Sequence, residues 1–184
     1  IEIADIGIAE FILDQLSADV FENSVDYWRA AYPLPSNTGH KYNRGHAAIV
    51  GGGVSSTGAA RISARNALRV GAGAVTLICP PAALMIYAQA LEAVMVSSFQ
   101  GPDDLQAFVK AKRLRSLLIG PANGVTDRTR QNVLAALESD ASIIIDADAI
   151  SVFANDPEPL FTAIKAKASG QVILTPHEAE FNRL

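Results

Sequence analysis

After its first forty residues, the chain contains six short apolar runs, and segments of helical composition lie between them. The runs predict strands at 47–50, 74–79, 93–99, 116–120, 142–146 and 172–175. The intervening segments predict helices at 57–70, 82–91, 103–114, 127–137, 149–154 and 160–168. Several runs are continuously apolar instead of alternating, which is typical of strands buried on both faces of a parallel sheet. The sequence therefore predicts an α/β fold of three layers, with a mostly parallel sheet and helices on both faces.

The first forty residues do not follow this alternation. Residues 1–7 alternate apolar and acidic side chains, as a half-buried strand does, and residues 10–16 have a helical pattern. Prolines and a glycine shortly before residue 40 then mark a loop or linker. We therefore expect a domain boundary near residue 38, with one domain over 1–38 and another over 39–184.

The charge balance excludes several classes of partner. The 184 residues carry a net charge of −4, so we expect neither a nucleic-acid nor a membrane partner, since both usually require a basic face. The apolar stretch 72–96 is interrupted by two prolines and a glutamate and does not predict a membrane span. The acidic start is unlike a secretory signal, and the lone cysteine, Cys79, can form no disulfide within the chain. We expect a cytoplasmic protein in which Cys79 is a buried apolar residue.

Glycines, carboxylates and a histidine follow the predicted strands where the strands end. Gly51–Gly53 follow the first strand, and Gly-Pro-Ala-Asn-Gly at 120–124 follows the fourth. Asp146 and Asp148 follow the fifth strand, and His177 comes shortly after the sixth. In an open parallel sheet, ligands bind beyond the carboxyl ends of the strands. The sequence therefore predicts a ligand site at this edge of the sheet.

The glycine-rich segment 51–58 precedes a predicted helix, where backbone N–H groups can approach an anion closely. It contains neither the Gly-Lys-Ser/Thr of a Walker A loop nor the G-x-G-x-x-G dinucleotide fingerprint, because position 56 is serine. A tight strand-to-helix turn without a ligand is an equally good interpretation. In the helix, Arg61, Arg65 and Arg69 recur every four residues and predict a solvated face or a contact between subunits.

Asp146 and Asp148 close the fifth predicted strand. Two carboxylates in this position can orient Mg²⁺ and phosphate, or hold a substrate hydroxyl. Alternatively, Asp148 caps the helix that follows, and Asp146 accepts hydrogen bonds from a loop. We favour a functional role over a structural one for Asp146, and we favour it less for Asp148.

The last predicted strand leads into a short helix with a recognisable start. Thr175 fits the N-cap, Pro176 the first helical position and Glu178 the N3 position of a capping box. This interpretation leaves His177 and Glu180 without a structural role. They lie three residues apart and share a helix face. A lone histidine is often only structural, but His177 stands at the carboxyl end of a strand, beside glycines and carboxylates, and we therefore favour a ligand contact for it.

Several motifs occur in a fixed order along residues 39–184. They are His40, Lys41 and Gly45, then STGAA (56–60), LRVGAGAVTL (68–77), IGPANG (119–124), IIIDADAI (143–150) and ILTPHEAEFNRL (173–184). No single motif is decisive, but the ordered set resembles the NAD(P)H-hydrate dehydratases, which belong to the ribokinase-like superfamily.

The resemblance implies a carbon–oxygen lyase that repairs NADH or NADPH hydrated on the nicotinamide ring. Such enzymes dehydrate the S form with ADP or ATP as co-substrate and with Mg²⁺, and they form homo-oligomers, commonly tetramers. The residues implied to contact the hydrated dinucleotide are Gly58, Ala59, Ala60, Gly124, Asp146 and His177. Glu180 and Asp148 are implied to act on the metal through water.

The resemblance also implies that residues 1–38 are the tail of a companion epimerase domain in a bifunctional protein. Residues 39–184 would then be the N-terminal part of the dehydratase domain, an incomplete ribokinase-like fold whose catalytic aspartate lies beyond Leu184. We therefore expect no activity from this chain alone. Two motifs depart from the family pattern: Pro-Ala-Asn-Gly stands for the usual Pro-Gly-Leu-Gly, and Glu178–Ala179 stand for the usual Pro-Gly.

Two other functions stay open at this point. One is a ribokinase-like kinase of a small molecule such as a vitamin precursor, whose phosphorylated product would persist. The other is a non-catalytic nucleotide-binding domain. The choice between ADP and ATP, the choice between the NADH and NADPH hydrates, and the number of subunits stay open as well.

Overall fold

The computed structural model describes residues 6–13, 15, 22–34 and 38–184. The chain divides into two compact units, Ile1–Leu34 and Pro35–Leu184.

The first unit contains two short helices in its described part. They are α1 (Glu10–Leu13) and α2 (Val25–Trp28), and a 3-10 turn at Arg29–Ala31 follows α2. Most of the strand predicted over 1–7 lies outside the described residues, and its last two residues are not in a strand. Of the helix predicted over 10–16, residues 10–13 form α1, residue 15 lies in a turn, and residues 14 and 16 lie outside the described part. The assignment of residues 1–38 to an epimerase-like domain stays a prediction.

The second unit alternates strands and helices as the sequence predicts. The strands are β1 (His46–Val50), β2 (Ala74–Cys79), β3 (Met95–Ser98), β4 (Ser116–Ile119), β5 (Ser142–Ile145) and β6 (Val172–Leu174). The helices are α3 (Gly58–Val70), α4 (Leu84–Ala90), α5 (Pro102–Lys112), α6 (Asp127–Leu137), α7 (Asp148–Ser151), α8 (Glu158–Ala166) and α9 (Glu178–Phe181). Short 3-10 turns precede β1 at Lys41–Arg44 and α4 at Pro81–Ala83.

The sheet is parallel throughout, with the strand order β3-β2-β1-β4-β5-β6. The chain first builds outward from β1 to β2 and β3, and then returns to the other side of β1 with β4. On the two sides of β1, Ile49 is level with Leu77 and with Leu118. The strand order therefore reverses between β1 and β4, and in open α/β sheets ligands bind in the crevice beyond such a reversal.

Two apolar clusters cover the two faces of the sheet, which confirms the three layers. On one face, Ala48 and Val50 pack with Phe153 and other side chains of α5 to α8. On the other face, the intervening Ile49 packs with Tyr87 and other side chains of α3 and α4. Successive side chains of a strand point to opposite faces, so continuous apolar runs are required where both faces are covered.

Local sequence explains where most elements begin and end. Pro102 begins α5, since its fixed φ suits the first helical position and its missing N–H is not needed there. Gly71 ends α3 with a φ of 120°, and its N–H donates to the carbonyls of Ala67 and Leu68. At 13 residues, α3 is the longest helix in the described part of the chain. None of the helices described there is long and apolar enough to cross a membrane.

Candidate functional site

Two glycine loops meet beyond the carboxyl ends of β1 and β4. The first glycine loop is 51–53 and the second is 120–124. A Cβ atom at Gly52 would lie 2.2 Å from the carbonyl oxygen of Ala122, so only glycine permits this approach. A Cβ atom at Gly120, whose φ is +132°, would lie 1.7 Å from the carbonyl oxygen of Asp146. The second glycine loop is therefore in contact with the first glycine loop on one side and with the end of β5 on the other.

Asn123 links the two glycine loops, and the sequence analysis did not identify it. Its Oδ1 accepts a hydrogen bond from the Gly120 N–H at 2.8 Å. Its Nδ2 donates to the carbonyl of Val50 at 3.2 Å, at the end of β1. Its place in the Gly-Pro-Ala-Asn-Gly segment could have indicated this role, because asparagine side chains often bond to the backbone of turns.

Tyr87 supports the first glycine loop from the interior. Its side chain is completely buried, and its hydroxyl donates to the carbonyl of Gly52 at 3.2 Å. Burial raises the pKa of Tyr87 to about 12, so the hydroxyl stays a donor at physiological pH. Its position in a predicted helix offered no signal for this contact.

The two aspartates at the end of β5 bond to different neighbours. Asp148 Oδ2 accepts from the Gly124 N–H at 2.8 Å, and Asp146 Oδ1 accepts from the Thr175 hydroxyl at 2.8 Å. The suggestion that Asp148 caps α7 is wrong, because Ala147 occupies the N-cap and Asp148 is already helical. Asp146 does accept a hydrogen bond from a loop residue, as its structural interpretation predicted. Ala147 has φ 48° and ψ −119°, a conformation that alanine rarely adopts, so this strand end is strained.

The predicted cap of the last helix is displaced by two residues. The N-cap of α9 is His177, and its Nδ1 accepts from the Ala179 N–H at 3.1 Å and the Glu180 N–H at 3.3 Å. Glu180 Oε2 accepts from the His177 N–H at 3.0 Å and completes the capping box. The prediction of Thr175 as N-cap and Glu178 at N3 is therefore wrong.

The reason for this displacement lies in β5. The Thr175 N–H donates to the carbonyl of Ile145 at 3.2 Å, and the Thr175 hydroxyl bonds to Asp146. Both polar groups of Thr175 thus bond to the end of the neighbouring strand, and Pro176 belongs to neither the strand nor the helix.

His177 has a second polar atom that the cap leaves available. Because Nδ1 accepts two N–H groups, the neutral ring carries its proton on Nε2. Nε2 lies 3.5 Å from Glu180 Oε1, and the His177 side chain is 67% exposed while that of Glu180 is 9% exposed. His177 can therefore stabilise the helix start and still present a ring edge to a ligand.

The predicted residues at the start of α3 differ in accessibility. Gly58 and Ala59 are exposed, whereas Ala60 is completely buried in the apolar cluster beneath. Any contact of Ala60 with a ligand is therefore limited to its backbone.

The arginines of α3 are not a uniform solvated stripe. The Arg61 Nε is buried and has no hydrogen-bond partner within the described part of the chain. Arg65 donates to the carbonyl of Ala90 at 2.8 Å and lies 4.0 Å from Glu92, so it connects α3 with the end of α4. The exposed Arg69 fits the predicted solvated face.

These contacts connect the carboxyl ends of four strands. Asn123 joins β1 to β4, the Asp148 contact with Gly124 joins β4 to β5, and the Asp146 contact with Thr175 joins β5 to β6. The arrangement presents carboxylates, glycine backbone and an imidazole at one edge of the sheet, groups suited to a polar ligand with hydroxyls and phosphates. Among the described residues no three histidine, cysteine or acidic side chains cluster to hold a metal ion. A Mg²⁺ ion here would depend on water and ligand phosphate for most of its ligands.

Comparison with known proteins identifies the family. The model of the NAD(P)H-hydrate dehydratase family matches residues 47–184. The chain is 31% identical to the bifunctional NAD(P)H-hydrate repair enzyme Nnr of Coxiella burnetii, over 85% of this chain and 30% of that protein. It is 33% identical to the human ATP-dependent (S)-NAD(P)H-hydrate dehydratase, over 89% of this chain and 47% of that protein. The chain thus spans less than half the length of these two curated relatives.

A solved structure agrees with this result. The ADP/ATP-dependent NAD(P)H-hydrate dehydratase of Bacillus subtilis, co-crystallised with ATP and Mg²⁺, superposes with a TM-score of 0.68 at 25% identity. The match covers 87% of this chain and 54% of the Bacillus chain. The chain therefore belongs to the NAD(P)H-hydrate dehydratase family.

Proposed function

We propose that this chain forms the dinucleotide-binding side of an enzyme that dehydrates the S form of hydrated NADH or NADPH with ADP or ATP. The observation that carries the proposal is the meeting of the two glycine loops where the strand order reverses, beside Asp146, Asp148 and His177. Ligands of open α/β sheets bind at this point. The family assignment supplies the identity of the ligand.

The start of α3 would receive phosphate of the dinucleotide. The first N–H groups of a helix have no partners within the helix, and the helix dipole favours an anion there. Thr57 precedes α3 and makes no side-chain cap. In this proposal Gly58 and Ala59 meet the ligand directly, and the buried Ala60 contributes only its N–H. Gly124, which has no side chain, lets the dinucleotide approach the second glycine loop.

The proposed chemistry resembles that of a kinase. The ring hydroxyl attacks the terminal phosphorus of the nucleotide, and AMP or ADP departs. Phosphate then leaves the ring carbon, and a proton is lost from the neighbouring carbon, which restores the reduced nicotinamide. Mg²⁺ would neutralise phosphate charge during the transfer.

The carboxylates differ in how well they suit this ion. Asp146 and Asp148 each use one oxygen in the hydrogen bonds described above, which leaves the other oxygen for a metal-bound water. Glu180 is 8% exposed, and both of its oxygens face His177. We therefore propose Asp146 and Asp148 as the better partners of a hydrated Mg²⁺, and Glu180 mainly as the orienting group of His177. Co-crystallisation of the Bacillus subtilis relative with ATP and Mg²⁺ supports the use of this ion.

Binding of purified (S)-NADPH hydrate, measured by titration calorimetry, tests the proposal. The unaltered chain should bind the hydrate, and a chain that binds none contradicts the proposed function. His177→Ala should bind it roughly tenfold more weakly, since it loses the ring contact and part of the helix cap.

His177→Asn is the matched control, because asparagine is among the best N-cap residues and replaces the cap without the imidazole. It should keep the stability of the unaltered chain and still bind weakly. If His177→Asn binds the hydrate as tightly as the unaltered chain, His177 serves the helix cap alone.

The proposal extends to the surroundings of the enzyme. We propose a homo-oligomer, supported by the exposed Ile62, Val70 and Met85 on α3 and α4, and a cytoplasmic location, supported by the buried free thiol of Cys79. The alignment with the bifunctional Nnr of Salinibacter ruber covers the whole chain and supports an epimerase-derived segment at 1–38. Light scattering of the purified protein would give the subunit number.

A further inference from the structure

We propose that Asn123 is a positioning residue that sets the separation of the two glycine loops and thereby orients their backbone toward the hydrated dinucleotide. The identity of the ligand rests on the proposed function, whereas the geometry of the loops does not.

The Asn123 amide bridges β1 and β4 where their own pairing has ended. The last paired residues of these strands are Ile49 and Leu118. Immediately beyond them, Oδ1 of Asn123 accepts from the Gly120 N–H, and Nδ2 donates to the Val50 carbonyl. One side chain thus continues the link between the strands across the reversal of strand order, which is the place where a ligand enters between them.

Asn123 is itself held in place. Its backbone carbonyl accepts from the Thr129 hydroxyl at 3.0 Å, and Thr129 is buried in the first turn of α6. Its Nδ2 also lies 3.4 Å from the Pro121 carbonyl. The amide is therefore fixed by the loop and by the helix that follows it, so it can hold the loops in register instead of following them.

The backbone around Asn123 needs such a support. Ala122 has a φ of 60°, a left-handed conformation that alanine adopts only where its surroundings impose it. In that conformation the Ala122 carbonyl lies against Gly52, and Gly124, two residues further along, donates its N–H to Asp148. In addition to these contacts, the Asn123 amide joins the second glycine loop directly to the end of β1.

Two measurements on Asn123→Leu test the proposal. Leucine has a similar branched shape and the same number of side-chain heavy atoms, but it neither accepts nor donates a hydrogen bond. Hydrogen exchange at the Gly120 amide, followed by NMR, should become at least about tenfold faster, since the amide loses its partner. Calorimetric titration should show (S)-NADPH hydrate bound roughly tenfold more weakly, as expected for losing the equivalent of one hydrogen bond.

Asn132→Leu is the matched control. Asn132 lies on α6, is 5% exposed, and its Oδ1 has no hydrogen-bond partner within the described part of the chain. This substitution should leave both Gly120 exchange and hydrate binding as in the unaltered chain.

The outcomes separate positioning from simple loop stability. If Gly120 stays equally protected in Asn123→Leu, the bridge is absent and the proposal is overturned. If Gly120 exchanges faster but binding is unchanged, Asn123 only stabilises the loop, and its positioning role is also overturned. If the unaltered chain binds no hydrate, the proposed function fails, while Gly120 exchange still decides whether Asn123 holds the loop.

A second variant covers the case in which Asn123→Leu does not fold. Asn123→Asp keeps an acceptor for the Gly120 N–H and loses the donor to Val50. The Gly120 amide should then stay protected, while the hydrate binds more weakly. Unchanged binding in this variant would contradict the bridge to β1.

Discussion

The two edges of the sheet both carry polar groups, but these groups make different contacts. At the carboxyl edge, hydrogen bonds connect the ends of β1, β4, β5 and β6 to one another. At the amino edge, a cleft of about 830 Å³ lies beside α5 and α6, and its lining includes Lys110, Arg113, Arg115, Glu138 and Asp140. The two acids there bond to neutral neighbours, Glu138 to the amide of Gln106 and Asp140 to the hydroxyl of Ser169.

The cleft and the proposed ligand site therefore lie at opposite edges of the sheet. Every strand is followed by a loop at the carboxyl edge, and the helix after that loop points its N-terminus toward the same edge. Backbone N–H groups, glycines and carboxylates therefore converge there from several strands. At the amino edge the chain arrives from helix ends, and the acidic side chains of the cleft bond to residues of helices and loops instead of strand ends.

The second glycine loop at the carboxyl edge should not tolerate added volume. Gly120→Ala introduces a Cβ atom 1.7 Å from the Asp146 carbonyl oxygen at a φ of +132°. We expect it to lower the free energy of unfolding by about 3 kcal/mol or more, through strain and overpacking together. Urea denaturation measures this change.

Gly53→Ala provides the control at the same edge. A Cβ atom at Gly53 meets nothing within 4 Å, so the free energy of unfolding should change by no more than about 0.5 kcal/mol. Equal losses for the two substitutions would show that the second glycine loop is not as closely packed as described.

The amino edge should instead carry a sensitivity to acid. His46 is buried at the start of β1, with its Nε2 2.8 Å from the Thr76 Oγ1. Burial and, secondarily, the charge of Lys112 lower the pKa of His46 below its ordinary value of 6.5. The unfolded chain therefore takes up the proton first as pH falls below 6.5, so stability decreases from there down to the lower pKa of the folded state.

His46→Gln removes this titration and keeps a side chain that can hydrogen-bond with Thr76. Thermal unfolding between about pH 7 and pH 5 should show a smaller loss of Tm in the variant than in the unaltered chain. All other ionisable groups are the same in the two proteins, so the difference isolates His46. Parallel curves would contradict a lowered pKa of His46.

The smallest effect is expected for ligand binding after a change in the amino-edge cleft. Lys110 is exposed, and Lys110→Ala removes one of the cations of that cleft. The affinity for (S)-NADPH hydrate should change by less than about twofold, because distant exposed charges are screened by salt. A large loss of affinity would indicate that the ligand binds at the amino edge instead.

The sequence predicted the fold more fully than the site, for a physical reason. The alternation of elements, the parallel sheet and its two covered faces depend on local apolar patterns, and these are visible in the chain. The sequence placed Gly52 and Gly120 in loops. It did not show which backbone atoms would lie so close to them that only glycine fits. The predicted cap at Thr175 was wrong, because its N–H and hydroxyl bond to Ile145 and Asp146.

The apolar runs by themselves determined that this chain forms a covered parallel sheet, and the ordered motifs at the strand ends indicated its family. Only the tertiary structure decided which partner each polar group finds. Asn123 bonds to Val50, 73 residues earlier, and Asp148 bonds to Gly124, 24 residues earlier. Whether a segment will be buried can be read from its own apolar residues. A hydrogen bond between strand ends, in contrast, forms only after the sheet has brought distant residues together.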